Sequence, residues 1–276
     1  MNPVLAVSRF GTSVVDAIAV FGQFMEFMVA THLRLIRHPL RSLRWSLLGP
    51  QLWAVGVASV PVVAITGAFI GMILALEGYT QFNMLGQADR MGGIINVSVV
   101  KQIGPVLAAV MVAGRVGGAL AAELGTMRVT EQLDAMRAMA ADPIQCLVVP
   151  RFLACVEMTP ILTIYSDMLG SWGAWTVVVR VFGVPSMDYW HFTAQAVGWI
   201  EPVGGLFKAI FFGGSIGLIA CFKGFTCAPG AAGVGKAATS AFVASFLAII
   251  MLNLVIAQFL NTIARMINPF PGSLIG

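Results

Sequence analysis

Charge is what this sequence has least of. Of its 276 residues only 10% are Asp, Glu, Lys or Arg, while 58% are hydrophobic. Soluble domains carry about 25% charged residues. A water-soluble fold of this size has too few charges to cover its surface, so the class is an integral membrane protein. Histidine is nearly absent. His32, His38 and His191 are scattered and offer no metal site. The four cysteines, Cys146, Cys155, Cys221 and Cys227, contain no CxxC spacing, and they read as small buried hydrophobes. No polar linker or low-complexity run divides the chain, and no internal repeat is visible. The first apolar stretch lacks a basic leader and a small-residue cleavage site, so no signal peptide is read. Neither a cofactor nor a nucleic-acid partner is expected.

One stretch comes close to a phosphate-binding loop. In "GAAGVGKAAT", residues 230–239, Gly230, Gly235 and Lys236 fit the Gly-x4-Gly-Lys spacing. Ala237 stands where a hydroxyl should hold magnesium, and Thr239 comes two residues late. Such a loop also needs a preceding strand. Here it follows an apolar run long enough to span a membrane. The stretch reads as a small-residue turn feeding a helix, and the chain is not expected to hydrolyse nucleotide itself.

The apolar runs set the architecture. Residues 52–76 contain no charge over 25 positions, enough to cross a bilayer. Pro61 should kink this span. Further spans are expected near 94–122, 152–180, 203–222 and 241–263. The fold class is an all-α integral membrane protein with about five transmembrane helices, because unpaired backbone groups in hydrocarbon force helices. Residues 1–50 form a separate segment, and 51–276 a single membrane domain. Within the first, residues 14–30 are apolar but carry Asp16, Gln23 and Glu26 on one helical stripe, which suits a helix lying in the interface. Arg34, Arg37, Arg41 and Arg44 follow with no acid among them, and Pro39 should break the helix. A basic cluster of this kind suits an anionic leaflet, or is a merely solvated segment. With the N-terminus inside, eleven Lys and Arg residues fall on the inner side. Five fall outside: Arg90, Lys101, Arg180, Lys208 and Arg265. The expected outer connection carries Tyr189, Trp190 and Trp199, as an interfacial aromatic belt would.

Residues 113–151 are the densest part of the sequence. Ala113, Gly117, Ala121 and Gly125 recur four apart. Small faces let helices approach closely in lipid, so this helix should pack tightly on a neighbour, in this chain or in a second copy. Next come Arg128, Glu131, Asp134 and Arg137, three apart and so on one face of a short helix near 127–139. Met127, Leu133, Met136 and Met139 supply apolar contact, and Asp142-Pro143 should end the helix. A short charged helix between two spans suits docking to a soluble partner, or is a solvated loop helix.

The stretch "AGRVGGALAAELGTMRVTEQLDAMRAMAADPIQCLVVPR" strongly resembles the MlaE permease family, the membrane subunit of MCE-type ABC lipid transporters. "GAFIGMILALEGY", "QIGPVLAAVMVAGR" and "GAAGVGKAAT" are similar to further family segments. The resemblance extends from about Val55 to the fifth span. It implies a homodimeric permease in a bacterial inner membrane, moving phospholipid or related lipid between inner and outer membranes. It also implies a separate ATP-binding subunit and an MCE-domain protein as partners. The implied coupling residues are Glu123, Arg128, Glu131, Gln132, Asp134 and Arg137. The implied lipid cavity lies at the dimer interface, lined by the first, second and fifth spans, with Leu74, Leu76, Tyr79, Phe82, Lys101, Gln102 and Asn253 as candidate contacts. The family often has an Arg-Glu or similar pair where this chain has Lys101 and Gln102. Some relatives have an acid in the fifth span where this chain has Asn253.

Other charges inside spans are expensive and need a reason. Lys101 suits a lipid phosphate or snorkels to the outer interface. Lys208 snorkels or faces the cavity. Glu157 should pair with Arg151 or Arg115. Asp167 needs a hydrogen-bond partner or a proton. Two alternatives stand beside the permease reading: a proton-coupled secondary transporter using Glu157 and Asp167, and a membrane scaffold for partner proteins.

Overall fold

The computed structural model describes residues 3–37 and 44–267. Pro39 and Arg41 lie outside the described residues, as do the side chains of Arg9 and Arg265. Among the described residues there is no strand. The helices are α1 (Pro3–Arg37), α2 (Trp45–Met84), α3 (Ala88–Val129), α4 (Gln132–Ala138), α5 (Ile144–Val181), α6 (Ser186–Ala196), α7 (Ile200–Phe225) and α8 (Ala231–Ile267). Five of them, α2, α3, α5, α7 and the Ala231–Ile263 part of α8, are long and apolar enough to cross a membrane. Each begins or ends beyond the limits read from hydropathy, because the polar residues at their ends continue the helix.

The prolines explain where these long helices change pitch. Pro61, Pro105 and Pro150 each stand in the first turn of a regular α-helical stretch, where a missing N–H is least costly. Directly before those stretches the backbone is a 3-10 turn at Val57–Ser59 and wide π turns at Val99–Ile103 and Ile144–Val148. The kink expected at Pro61 therefore falls one turn earlier. A proline ring clashes with the carbonyl four residues before it, so the distortion sits upstream. Arg115 of α3 closes this break, donating to Ala54 O at 3.1 Å and to Ser59 Oγ at 2.7 Å.

Close helix crossings hold the bundle. A Cβ at Gly71 of α2 would overlap the Gly170 carbonyl of α5, and one at Gly213 of α7 would overlap the Cys155 carbonyl of α5. Removing side chains at these points lets backbones approach, as packing in lipid requires. The small-residue stripe of α3 is used within the chain. Gly117 faces Ile216 of α7, and Gly125 faces Cys227 and Val234. The main core gathers Val63, Val112, Leu162, Phe212, Ile216 and Ile249 from the five spans. A second cluster, with Met91, Val178 and Tyr189, closes the α6 end.

The N-terminal helix is longer than the 14–30 stretch read from composition. Asp16, Gln23 and Glu26 are exposed. Its opposite face packs on the bundle: Phe24 and Phe27 meet Phe222, Phe27 also meets Phe225, and His32 meets Phe152.

Candidate functional site

Candidate residues gather at two levels of the bundle. The first is the corner joining α3 to α5 at the end where α1 packs. The single helix expected over 127–139 is divided. Helix α3 runs on to Val129, Glu131 takes a left-handed φ of 59°, and α4 spans only Gln132–Ala138. A non-glycine residue at positive φ costs about 1–2 kcal/mol, so the break is imposed by its surroundings. Leu133 supplies the anchor, being fully buried under the corner. Met139, expected to give apolar contact, is 73% exposed. Arg128, Asp134 and Arg137 still meet, but across the break: Asp134 accepts from Arg128 at 3.3 Å and from Arg137 at 2.7 Å. Each such exposed pair contributes at most about 1 kcal/mol. Glu131 and Gln132 are exposed beside them.

Asp142 does not close α4. Ala140 has a φ of 58°, and Asp142 Oδ1 accepts from the Ile144 N–H at 3.0 Å, so Asp142 opens α5. Its other oxygen is ion-paired with Arg34 of α1. Glu123, nearly two turns before the end of α3, accepts from Arg151 of α5 at 2.9 Å. The corner is thereby tied to α1 and to both flanking spans. The stretch 230–239 lies at the start of α8, with Gly230 at φ 85° and Ala237 buried. It follows a helix, not a strand.

The second level lies in the spans. Lys101 and Gln102 are exposed on the π turn of α3. Pro105 cannot offer an N–H to the Lys101 carbonyl four residues earlier. The Lys208 ammonium takes that carbonyl at 2.9 Å and Gln102 Oε1 at 2.6 Å. Lys208 is 2% exposed, so it neither snorkels nor faces open space. Asn253 of α8 is half-buried, with no hydrogen-bond partner for Oδ1. The aromatic candidates turn inward: Tyr79 stacks on Phe182 with centroids 3.7 Å apart, and Leu74 and Phe82 pack on the same cluster. Leu76 points out and is 49% exposed. Glu157 is exposed and pairs with neither expected arginine, because Arg151 holds Glu123 and Arg115 holds the α2 break.

Tyr189 departs from the expected aromatic belt. It is fully buried, accepts from Asn96 Nδ2 at 2.9 Å and donates to Ser171 O at 3.2 Å. Burial pushes its phenol up to about 12, against the smaller opposing effect of the Asn96 hydrogen bond. Trp190 and Trp199 remain outward. No spacing in the sequence pairs Asn96 with Tyr189 or Glu123 with Arg151, since each pair joins different helices.

Five apolar spans, a short strained corner between the second and third, and a polar level inside the bundle define a polytopic membrane protein. The family model described as "Permease MlaE" matches residues 48–259, and this chain belongs to that family. It is 34% identical to the Haemophilus influenzae "Intermembrane phospholipid transport system permease protein MlaE", over 92% of this chain and 97% of that one. It is 40% identical to a "Probable ABC transporter permease protein" of Rickettsia bellii, over 86% and 90% of the two chains. A plant relative, "Protein TRIGALACTOSYLDIACYLGLYCEROL 1, chloroplastic" of Arabidopsis thaliana, is 34% identical over 76% of this chain and 60% of that one.

Proposed function

We propose that this chain is the permease subunit of an ABC transporter that moves phospholipid between bacterial inner and outer membranes. The Haemophilus relative's name supports the substrate class. In this reading two copies oppose each other along α2 and α8. One observation carries it. Only 22% of the apolar window of α2 and 17% of that of α8 is buried within the chain, against 50–61% for the other three spans. Two spans so sparsely covered suit a surface shared with a second copy and with lipid. Leu76 and the exposed Leu254 and Val255 offer acyl chains an apolar wall, where each buried methylene contributes about 0.8 kcal/mol. Exposed Lys101 suits the phosphate.

The corner at α4 is the coupling element to a separate ATPase subunit, with Glu131, Gln132, Asp134 and Arg137 as its docking groups. That end, with the N-terminus, is cytoplasmic. An MCE-domain protein meets the opposite end. Closure of the ATPases pushes on α4, which is tied to α3 through Glu131 and to α5 through Asp142. The cavity then narrows. Transport requires its two states to bind lipid with different affinity, because a ligand held equally by both shifts nothing.

The test is co-purification in detergent with the ATPase after joint Glu131→Lys and Asp134→Lys substitution. Recovery should fall, while phospholipid retained by the permease, read by mass spectrometry, stays as in the parent. Undiminished ATPase recovery overturns the coupling role. Absence of phospholipid from the parent complex overturns the substrate.

A further inference from the structure

We infer that α1 is the strut of the coupling corner, and that Arg34 is the positioning residue through which it acts. This role rests on the coupling proposed for α4. Phe24, Phe27, Thr31 and Arg34 recur three and four apart, on the inner face of α1. Phe27 enters a small core with Leu124 and Met127 from the end of α3, Ile144 and Val148 from the start of α5, and Phe225 of α7. Thr31 is fully buried. On the opposite face Val29, Leu33 and Ile36 are exposed. An apolar outer stripe seats a helix at the boundary of the hydrocarbon. Lipid therefore holds α1 on one side, and the helices that flank the corner hold it on the other.

Arg34 pins the bend between α4 and α5. Glu131 and Ala140 have φ angles of 59° and 58°, so the chain turns sharply at both ends of α4. Beside the second turn lies a cleft of about 400 Å³, lined by Arg34, Arg137, Asp142 and Ile144 among others. A push on α4 is absorbed there if residues 140–143 are free to fold into that space. Asp142 is held instead. One oxygen accepts from the Ile144 N–H at 3.0 Å, and the other is ion-paired with Arg34 Nε. Arg34 Nη1 also donates to Ala30 O of its own helix at 3.2 Å, which fixes the guanidinium along α1. The push therefore reaches the wide turn Ile144–Val148 that opens α5. The two side chains are 33% and 41% exposed. Pairs of that exposure add little to stability, so the effect of this one falls on transmission.

The experiment uses the complex co-purified with its ATPase, in nanodiscs that carry a fluorescent phosphatidylethanolamine. It reads ATPase recovery, ATP hydrolysis, lipid displaced per ATP hydrolysed and melting temperature. Arg34→Met should lower displacement per ATP about threefold, within the range by which single side chains modulate coupling between sites. ATPase recovery and melting temperature should match the parent's. Asp142→Asn keeps an acceptor for the Ile144 N–H and should act as Arg34→Met does. The two together should be no worse than either alone, since they remove one interaction. Arg34→Lys, which keeps the charge, should hold most of the parent's ratio. An unchanged ratio in Arg34→Met overturns the strut and leaves the docking role of α4, read by ATPase recovery, standing. A ratio that falls only together with melting temperature or recovery assigns Arg34 to folding or docking and overturns it as well. So does a double variant in which the two losses multiply. A parent that recovers no ATPase removes the coupling role of α4 and the strut with it.

Discussion

Arg151 on α5 and Glu123 on α3 form an ion pair at 2.9 Å in which the arginine side chain is 4% exposed and the carboxylate 57%. Arg151 Nε and Nη1 are buried with no partner, so Glu123 is the group that offsets the guanidinium charge. The Glu123→Gln variant should lose about 2 kcal/mol, less than the 3–5 of a fully buried pair because Glu123 keeps contact with solvent. Arg151→Met combined with Glu123→Gln should be more stable than Glu123→Gln alone. Thermal unfolding of the purified protein reads both. A double variant weaker than either single one would assign the effect to packing and not to charge.

Lys208 replaces a donor that Pro105 cannot supply. Lys208→Met should cost about 1 kcal/mol, toward the low end of the penalty for an unpaired carbonyl because the Lys101 carbonyl is only partly buried. Adding Pro105→Ala returns a backbone N–H and should recover part of the loss. The same unfolding measurement decides, and no recovery would mean that Lys208 acts only through Gln102.

Tyr189 makes stability depend on alkaline pH. Its phenol is raised from 10.0 to about 12 in the folded chain. Between those values the unfolded state releases the proton and the folded state keeps it, so the unfolded state binds fewer protons. Stability is full below 10 and falls as pH rises toward 12, by on the order of 2 kcal/mol in all. Tyr189→Phe should be less stable at neutral pH, having lost both hydrogen bonds. Its gap to the parent should narrow across that alkaline window, as followed by melting temperature.

Leu74 and Leu76 separate packing from surface. Leu74 packs into the cluster with Tyr79 and Phe182, while Leu76 points outward. Leu74→Arg should lower the melting temperature, since Leu74 is partly buried against that cluster and an unpaired charge placed there is costly. Leu76→Arg should elute as the parent does in gel filtration but retain less phospholipid in mass spectrometry. Retention equal to the parent would remove Leu76 from the lipid surface.

The spans were legible because hydropathy adds up along a segment and needs no partner. The charged corner was legible too, from residues three apart, but its shape was not. A regular spacing places Arg128 and Glu131 on one helix, and the structure breaks the helix between Val129 and Gln132. Burial of Leu133 under neighbouring helices goes with that break, and such burial leaves no mark in local spacing. Aromatic residues misled for the same reason. Tyr189 and Trp190 are adjacent and alike in composition, yet one is buried and the other exposed.

By itself the sequence determined the class: a chain with so few charges and five long apolar runs has no stable state outside a bilayer, and in hydrocarbon its backbone must coil. Only the tertiary structure decided which polar groups meet. Asn96 finds Tyr189 across 93 residues, and Lys208 finds Lys101 across 107. Those meetings depend on where glycines let helices cross and where prolines leave carbonyls open, and a crossing is a property of two helices at once.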